Sequence, residues 1–243
     1  FQEPMTSMSP VHTIGDQVSE MILIHEEVSK AEAKKRTIDL LGKVGIPNPA
    51  ARYTTYPFQL SGGMRQRTMI AMALACKPEL LIADEPTTAL DVTTQANVLK
   101  LMRDIQKEFG LSIMLITHDL GVVAEVADEV TVMYLGRTME QASVYDLFRT
   151  PKHPYTRALL GSMPRVDLKR GTRLTQIKGL VPSPFARPTG CPFVTRCPER
   201  RIGICDRAVP DLYDLGERTS RCFEHDPRYA DAWAGSRAAE VLA

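Results

Sequence analysis

Residues 60–91, LSGGMRQRTMIAMALACKPELLIADEPTTALD, constrain the fold more than any other stretch, because an anion site, a helix and a buried strand follow one another without a break. Ser61, Gly62 and Gly63 open the helix. The first turn of a helix carries unpaired N–H groups and partial positive charge, and glycine lets a ligand approach the backbone closely, so phosphate is the natural guest. After Pro78, Leu80-Leu81-Ile82-Ala83 is an uninterrupted apolar run. That is the pattern of a strand covered on both faces in a parallel sheet. It ends on Asp84 and Glu85, and open parallel sheets bind ligands outside the carboxyl ends of their strands. Asp84 can hold Mg2+ through oxygen, while Glu85, on the other side of the backbone, can orient or deprotonate an attacking water. An Asp-Glu pair alone is most often a solvated turn; the glycines upstream turn the reading to phosphoryl chemistry.

The flanking sequence supplies a frame for that edge. Thr13 to Val44 holds two helical patterns, one with Val18, Met21 and Ile22 on a face and one with Ile38, Leu41 and Val44. Gly45, Pro47 and Pro49 stop the second, and Tyr53 to Gln59 is a connector. Asp91 is placed to cap a helix whose positions Val92, Ala96, Leu99 and Met102 are expected in the core. Ser112 to Thr117, SIMLIT, is a second buried strand that delivers His118 and Asp119 to the edge holding Glu85. Glu129 to Tyr134 and then Gly136 to Glu140 read as a strand and hairpin. From Ser143 a short helix leads to Thr150-Pro151-Lys152-His153-Pro154-Tyr155, where Pro, Arg and Gly become frequent and a domain boundary is expected near 150.

Leu60 to Gly63, with the strand ending on Asp84 and Glu85, resembles the signature and Walker B motifs of ATP-binding cassette (ABC) ATPases. Thr88-Ala89-Leu90-Asp91 resembles their D-loop and His118 their switch histidine, whose imidazole can reach a terminal phosphate. Gln2, in a Pro/Ser/Thr-rich opening, resembles their Q-loop glutamine. The resemblance implies an α/β, P-loop NTPase-like domain with a helical subdomain over about 1–75 and an ATPase core over about 76–150. It implies Glu85 and His118 as catalytic residues. Gln2, Ser61, Gly62, Gly63, Gln66, Asp84 and Asp91 are then the residues that face ATP and Mg2+. HPYTRALLGSMP, with Ile177 to Pro184 and a cysteine segment after it, resembles the C-terminal extension of oligopeptide and dipeptide importer ATPases, over 151–243.

Within that extension Cys191, Cys197, Cys205 and Cys222 are separated by five, seven and sixteen residues, and the first two precede proline. None of these is the two-residue spacing of zinc ribbons. Four thiolates can hold an iron-sulfur cluster, and Cys-Pro occurs in such sites; zinc, structural thiols and a disulfide stay open. The resembled family can carry a four-iron (4Fe-4S) cluster at corresponding cysteines. Cys76 stands apart and is expected to be a small buried packing residue. His225 to Ala243 shows no chemistry and reads as a frayed helical tail.

The sequence contains no G-x-x-x-x-G-K-[ST] phosphate loop; Gly42-Lys43 is followed by Val and lacks the upstream glycine. With Phe1 in place of Met, the chain is expected to be a fragment beginning at the Q-loop, its Walker A lying upstream. The resemblance then implies head-to-tail pairing with a second ABC ATPase subunit, each ATP lying between one Walker A and the other signature. It further implies two transmembrane permease subunits, a substrate-binding protein met indirectly, and a peripheral place on the cytoplasmic face of the cell (inner) membrane. Peptides are the expected cargo, with nickel and other small solutes open. Net charge is +1 with dispersed basic residues, so no nucleic-acid partner is expected. No apolar run reaches the ~20 residues of a membrane-crossing helix. Two rivals remain: a non-catalytic metal-binding or interaction fragment, and a chromosome-maintenance ABC ATPase, which should show a long heptad array where Thr13 to Val44 is short and interrupted.

Overall fold

Thr13 and Ser29 each end an extended stretch with a hydroxyl that accepts a hydrogen bond from the backbone N–H three residues on, and each starts a helix: α1 (Ile14–His25) and α2 (Lys30–Lys43). The computed structural model in which they lie describes residues 8–88, 90–163, 176–183 and 185–233. The chain divides into two compact units, 1–118 and 119–243.

In the first unit the short α3 (Pro49–Arg52) and a one-turn 3-10 helix (Pro57–Gln59) lead to α4 (Gly62–Leu74). Ile14, Val18 and Ile22 recur at helical spacing along α1 and are fully buried with Ala33 and Leu41 of α2 and Ala71 and Leu74 of α4. Each fully buried Ile, Leu or Val contributes about 1.5–3 kcal/mol, so this stripe holds the three helices together. Ser19 joins Thr37 and Tyr53 beneath it, at 2.9 Å each, so the packed hydroxyls are paired.

β1 (Leu80–Asp84), α5 (Val92–Phe109) and β2 (Ser112–Ile116) follow, and the two strands pair in parallel from Leu80 with Ser112 to Asp84 with Ile116. The strand assignments stand, but Leu80, Ile82, Met114 and Ile116 are 41–54% exposed, so the strands are not covered on both faces as the apolar runs suggested. Along α5 the buried stripe is Val98, Leu101, Met102 and Ile105, with Leu99 beside it. Val92 and Ala96 are exposed instead, because they lie on the first turns, before the helix meets the core. Cys76 is also exposed, beyond the end of α4, where its thiol reaches the Met21 carbonyl; it is no packing residue.

The second unit begins with α6 (Leu120–Val126), whose first N–H groups bond the Asp119 carboxylate. β3 (Glu129–Tyr134) and β4 (Arg137–Ser143) form a hairpin closed by Leu135 and Gly136, both at positive φ, the two-residue turn whose twist suits antiparallel strands. α7 (Val144–Arg149), capped by Ser143, and α8 (Pro154–Gly161), capped by His153, come next. β5 (Tyr213–Asp214) and β6 (Thr219–Ser220) complete a sheet in the order β3-β4-β6-β5. Because β6 pairs with β4, the sequence boundary near 150 falls inside this unit.

Candidate functional site

Two arrangements carry chemistry, one in each unit. In the first, the parallel pairing carries Asp84 to the end of β1, and the Glu85 N–H continues the ladder by donating to the Ile116 carbonyl at 2.9 Å. Glu85 then turns into the left-handed region, φ +46°, where a side chain other than glycine costs roughly 1–2 kcal/mol. That turn presents the carboxylate to two neighbours. The Thr88 hydroxyl donates to Oε2 at 2.9 Å, and His118, delivered by β2, sets Nδ1 3.2 Å from Oε1. The Thr88 bond first, and then the His118 bond, hold the Glu85 carboxyl below the usual carboxylate range. It is therefore ionised at neutral pH, as a water-orienting base requires. The His118 side chain is 77% exposed.

The Ser61 hydroxyl caps α4 by accepting from Met64 N–H at 3.3 Å. A side chain built on Gly62 would meet nothing within 4 Å, so the backbone at this helix start is open to an incoming anion. Gly63 faces the Thr94 methyl, 3.5 Å from where a Cβ would sit, which puts the start of α4 beside the start of α5. There Asp91 accepts from Thr94 N–H at 3.0 Å and Thr94 Oγ1 at 2.7 Å, and those bonds lower its pKa. Gln66, by contrast, is buried, and its amide donates to the Pro86 carbonyl, so it props the turn after Glu85. Gln2 and Ala89 lie outside the described residues.

In the second unit Cys191, Cys197, Cys205 and Cys222 line one small cavity of about 20 Å³ with His153, Phe193, Phe223 and Trp233. Three loops meet there. The Cys191 N–H donates to the Cys205 carbonyl at 2.8 Å, and a Cβ on Gly190 would stand 2.2 Å from that same oxygen, so only glycine permits the approach. Phe193 meets Tyr134 edge to face at 5.5 Å and Tyr155 at a tilt at 5.2 Å, and Trp233, 2% exposed, also lines the cavity. All four cysteines are free. Burial pushes the Cys191 thiol up to about 11 and Cys197 up to about 12, with Cys205 and Cys222 raised too, and neighbouring sulfurs add to the shifts of Cys191, Cys197 and Cys222. Among the described residues no three His, Cys, Asp or Glu side chains converge closely enough to hold one metal ion.

Sequence reasoning missed two members of this cavity. His153 is 1% exposed, and burial holds its ring down to about 3, hence neutral. Trp233 lies in the stretch read as a tail; its being the only tryptophan in the chain was the available signal.

Solved ABC proteins share the fold over part of this chain. CbiO1 of Clostridium perfringens, part of the ABC transporter complex cbiONQ, superposes with TM-score 0.55 at 31% identity over 62% of this chain and 58% of its own. The ATP-binding cassette MJ0796, solved as a post-hydrolysis dimer with ADP and Pi, does so with TM-score 0.51 at 27% identity, over 59% and 61%. Residues 1–88 match the ABC transporter family, and residues 139–205 match the oligopeptide/dipeptide transporter C-terminal region. The dipeptide transport ATP-binding protein DppD of Bacillus subtilis (strain 168) is 52% identical over 229 residues, 94% of this chain and 68% of the relative. A probable peptide ABC transporter ATP-binding protein, y4tR of Sinorhizobium fredii, is 55% identical over 215 residues, 88% of this chain and 64% of the relative. The chain thus spans about two thirds of the length of these relatives, and it belongs to the ABC transporter ATP-binding proteins of the oligopeptide/dipeptide type.

Proposed function

We propose that the chain is the signature and hydrolysis portion of an ATPase subunit that powers import of peptides, working on the cytoplasmic face of the membrane beside two permease subunits and a second ATPase. The observation that carries this is the Glu85–His118 pair at the end of the parallel strands, 3.2 Å apart and joined to Thr88. In that reading Asp84 is the Mg2+ ligand, ionised Glu85 orients the attacking water, and His118 turns from Glu85 to the departing phosphate. Ser61, Gly62 and Gly63 meet a nucleotide held chiefly by the partner subunit, and Asp91 at the neighbouring helix start holds the paired edge. Gln66 serves by fixing the Pro86 turn. Gln2 is assigned the Q-loop role on its motif alone. The relatives' names support peptides as cargo, and the 139–205 match supports the same class.

Positioning and electrostatic clamping supply most of the catalysis in phosphoryl transfer, and the G-x-x-x-x-G-K-[ST] loop is not in this sequence. Residues 1–243 alone are therefore expected to bind ATP poorly and to release no phosphate above background. Joined to a segment carrying such a loop, they are expected to do both. Calorimetry and phosphate release on the two proteins test this; steady turnover by residues 1–243 alone overturns the division of labour proposed here.

In the second unit we propose that Cys191, Cys197, Cys205 and Cys222 hold a four-iron cluster as thiolates. Soft thiolate donors suit iron-sulfur groups, and all four cysteines line one cavity. The cavity is close to one water in size, so the loops would have to part for the four thiolates to close on such a group. Bound, it would supply a cross-link between three loops and a one-electron redox centre. Protein purified without oxygen should be brown, with iron and sulfide in equal amounts and absorbance lost in Cys197→Ser. A colourless protein with one zinc per chain rejects the cluster.

A further inference from the structure

Residues 9–12 turn into α1, and one buried side chain holds the turn. Gln17, 6% exposed, pairs its amide with Ser9 as a backbone unit would: Oε1 accepts from Ser9 N–H at 2.9 Å, and Nε2 donates to the Ser9 carbonyl at 3.1 Å. Nε2 also donates to the His12 carbonyl at 3.0 Å, so both ends of the turn are tied to one position of the helix. Met8, 5% exposed, roots the turn in the core that α1 shares with α4. Pro10 and Val11, at the tip, are exposed, Val11 to 72%. Further bonds run on towards the signature. Ile14 N–H donates to the Thr55 carbonyl and Gly15 N–H to the Tyr53 carbonyl, at 2.9 Å each, and a Cβ on Gly15 would stand 2.5 Å from that Tyr53 oxygen. Beyond Thr55, Arg65 Nε donates to the Pro57 and Leu60 carbonyls at 2.8 and 3.2 Å, which fastens the connector to α4 beside Ser61.

We infer that Gln17 is the joint through which a push on the 9–12 turn reaches the signature start at Ser61; the inference rests on the importer reading above, in which permease subunits supply the push. Gln17 is a positioning residue in this arrangement, acting through the turn and α1. A turn whose backbone groups bond only water gives way under load, whereas one whose N–H and C=O are paired with a buried amide moves as a piece with the helix. Close-packed interiors pass such a displacement on, and Ile14, Val18 and Ile22 of α1 are buried against Ala71 and Leu74 of α4. The bonded connector and the packed stripe both join α1 to α4, a contiguous network of the kind that carries coupling between sites. Without the amide the tip yields while α1 stays, and ATP hydrolysis loses its dependence on peptide.

The test uses the complete subunit, carrying the phosphate-binding loop and assembled with its permease and partner ATPase in lipid vesicles. ATP turnover is measured with and without peptide and its binding protein, on wild type and on Gln17→Met, a replacement of like length that cannot pair with Ser9. Basal kcat and KM for ATP should stay within about twofold of wild type, while the turnover that peptide adds should fall about tenfold, and peptide uptake with it. A glutamine that served packing alone would lower the melting midpoint and both rates together. If Gln17→Met fails to fold, wild type decides: amide hydrogen exchange at Ser9, whose N–H donates to the Gln17 side chain, should be as slow as in the body of α1. Exchange at Ser9 as fast as in an open loop, a Gln17→Met protein that answers peptide as wild type does, or an equal loss of basal and stimulated turnover overturns the inference and leaves the importer reading standing. A wild-type assembly that takes up no peptide and gains no turnover from it removes both.

Discussion

The strand edge of the first unit and the cysteine cavity of the second are built on opposite plans. At the edge, function rests on the ends of regular elements: Asp84 and Glu85 close β1, His118 follows β2, and Ser61 and Asp91 cap helices. Ser61, Asp91 and His118 are exposed and Asp84 and Glu85 half-buried, so a substitution there should change chemistry and spare stability. The cavity is made of loops drawn together by Phe193, Phe223 and Trp233, with backbone against backbone at Gly190. A substitution there should act on folding first. Regular structure lets a site stay open because the scaffold is stabilised elsewhere, whereas a site in loops must itself be the core.

The largest effect expected of this contrast is at Glu85. In a protein that carries the phosphate-binding loop, Glu85→Gln should cut turnover about 10²- to 10⁴-fold while ATP affinity and unfolding midpoint stay put. Turnover at the wild-type rate would remove Glu85 from its role and break the first half of the comparison. Next comes Gly190→Ala. Its Cβ would fall 2.2 Å from the Cys205 carbonyl and 2.8 Å from Asp206 Cα, and overpacking of backbone should cost about 3 kcal/mol in denaturant unfolding. The same replacement at Gly62 meets open space, so Gly62→Ala should change stability by less than about 0.5 kcal/mol while slowing turnover in the assembled ATPase. Equal destabilisation by the two alanines would erase the distinction between open edge and closed cavity.

The smallest effect is one of pH, and it belongs to the second unit. Asp226 accepts from Arg228 and from the Tyr213 hydroxyl at 2.6 Å, and these bonds, Arg228 first, hold its carboxyl far below the ordinary range. A depressed native pKa means that the unfolded chain binds the proton more readily. The stabilisation is thus complete above the ordinary carboxylate pKa and drains away as pH falls below it. Melting followed from pH 6 down to about pH 3 should show a steeper acid loss for wild type than for Asp226→Asn. Parallel curves would remove Asp226 as a source of acid sensitivity.

What the sequence disclosed, and what it hid, follows the same division. Caps are local: Ser61, Asp91 and Ser143 each accept from a backbone N–H three residues away, and all could be read from spacing. The Asp84–His118 edge was legible because two apolar runs end at it. The outer half of each strand was not, since an apolar run does not say which of its faces is covered, and Leu80, Ile82 and Met114 stand in solvent. Val92 and Ala96 keep helical spacing with Leu99 but precede the turn where α5 reaches the core. His153 and Trp233 were hidden for a different reason. The cavity gathers residues spread from 153 to 233 by loop closure that no periodicity announces.

The left-handed backbone at Glu85 has a bearing on how such a protein would respond to breeding in the laboratory. Only glycine, and to a lesser degree asparagine, sits in that conformation at ease. A library selected for heat tolerance alone should therefore drift at position 85 towards those two residues, gaining endurance and discarding the carboxylate. Selection that also rewards transport should hold the acid in place, so the identity recovered at this one position reports which of the two pressures was applied.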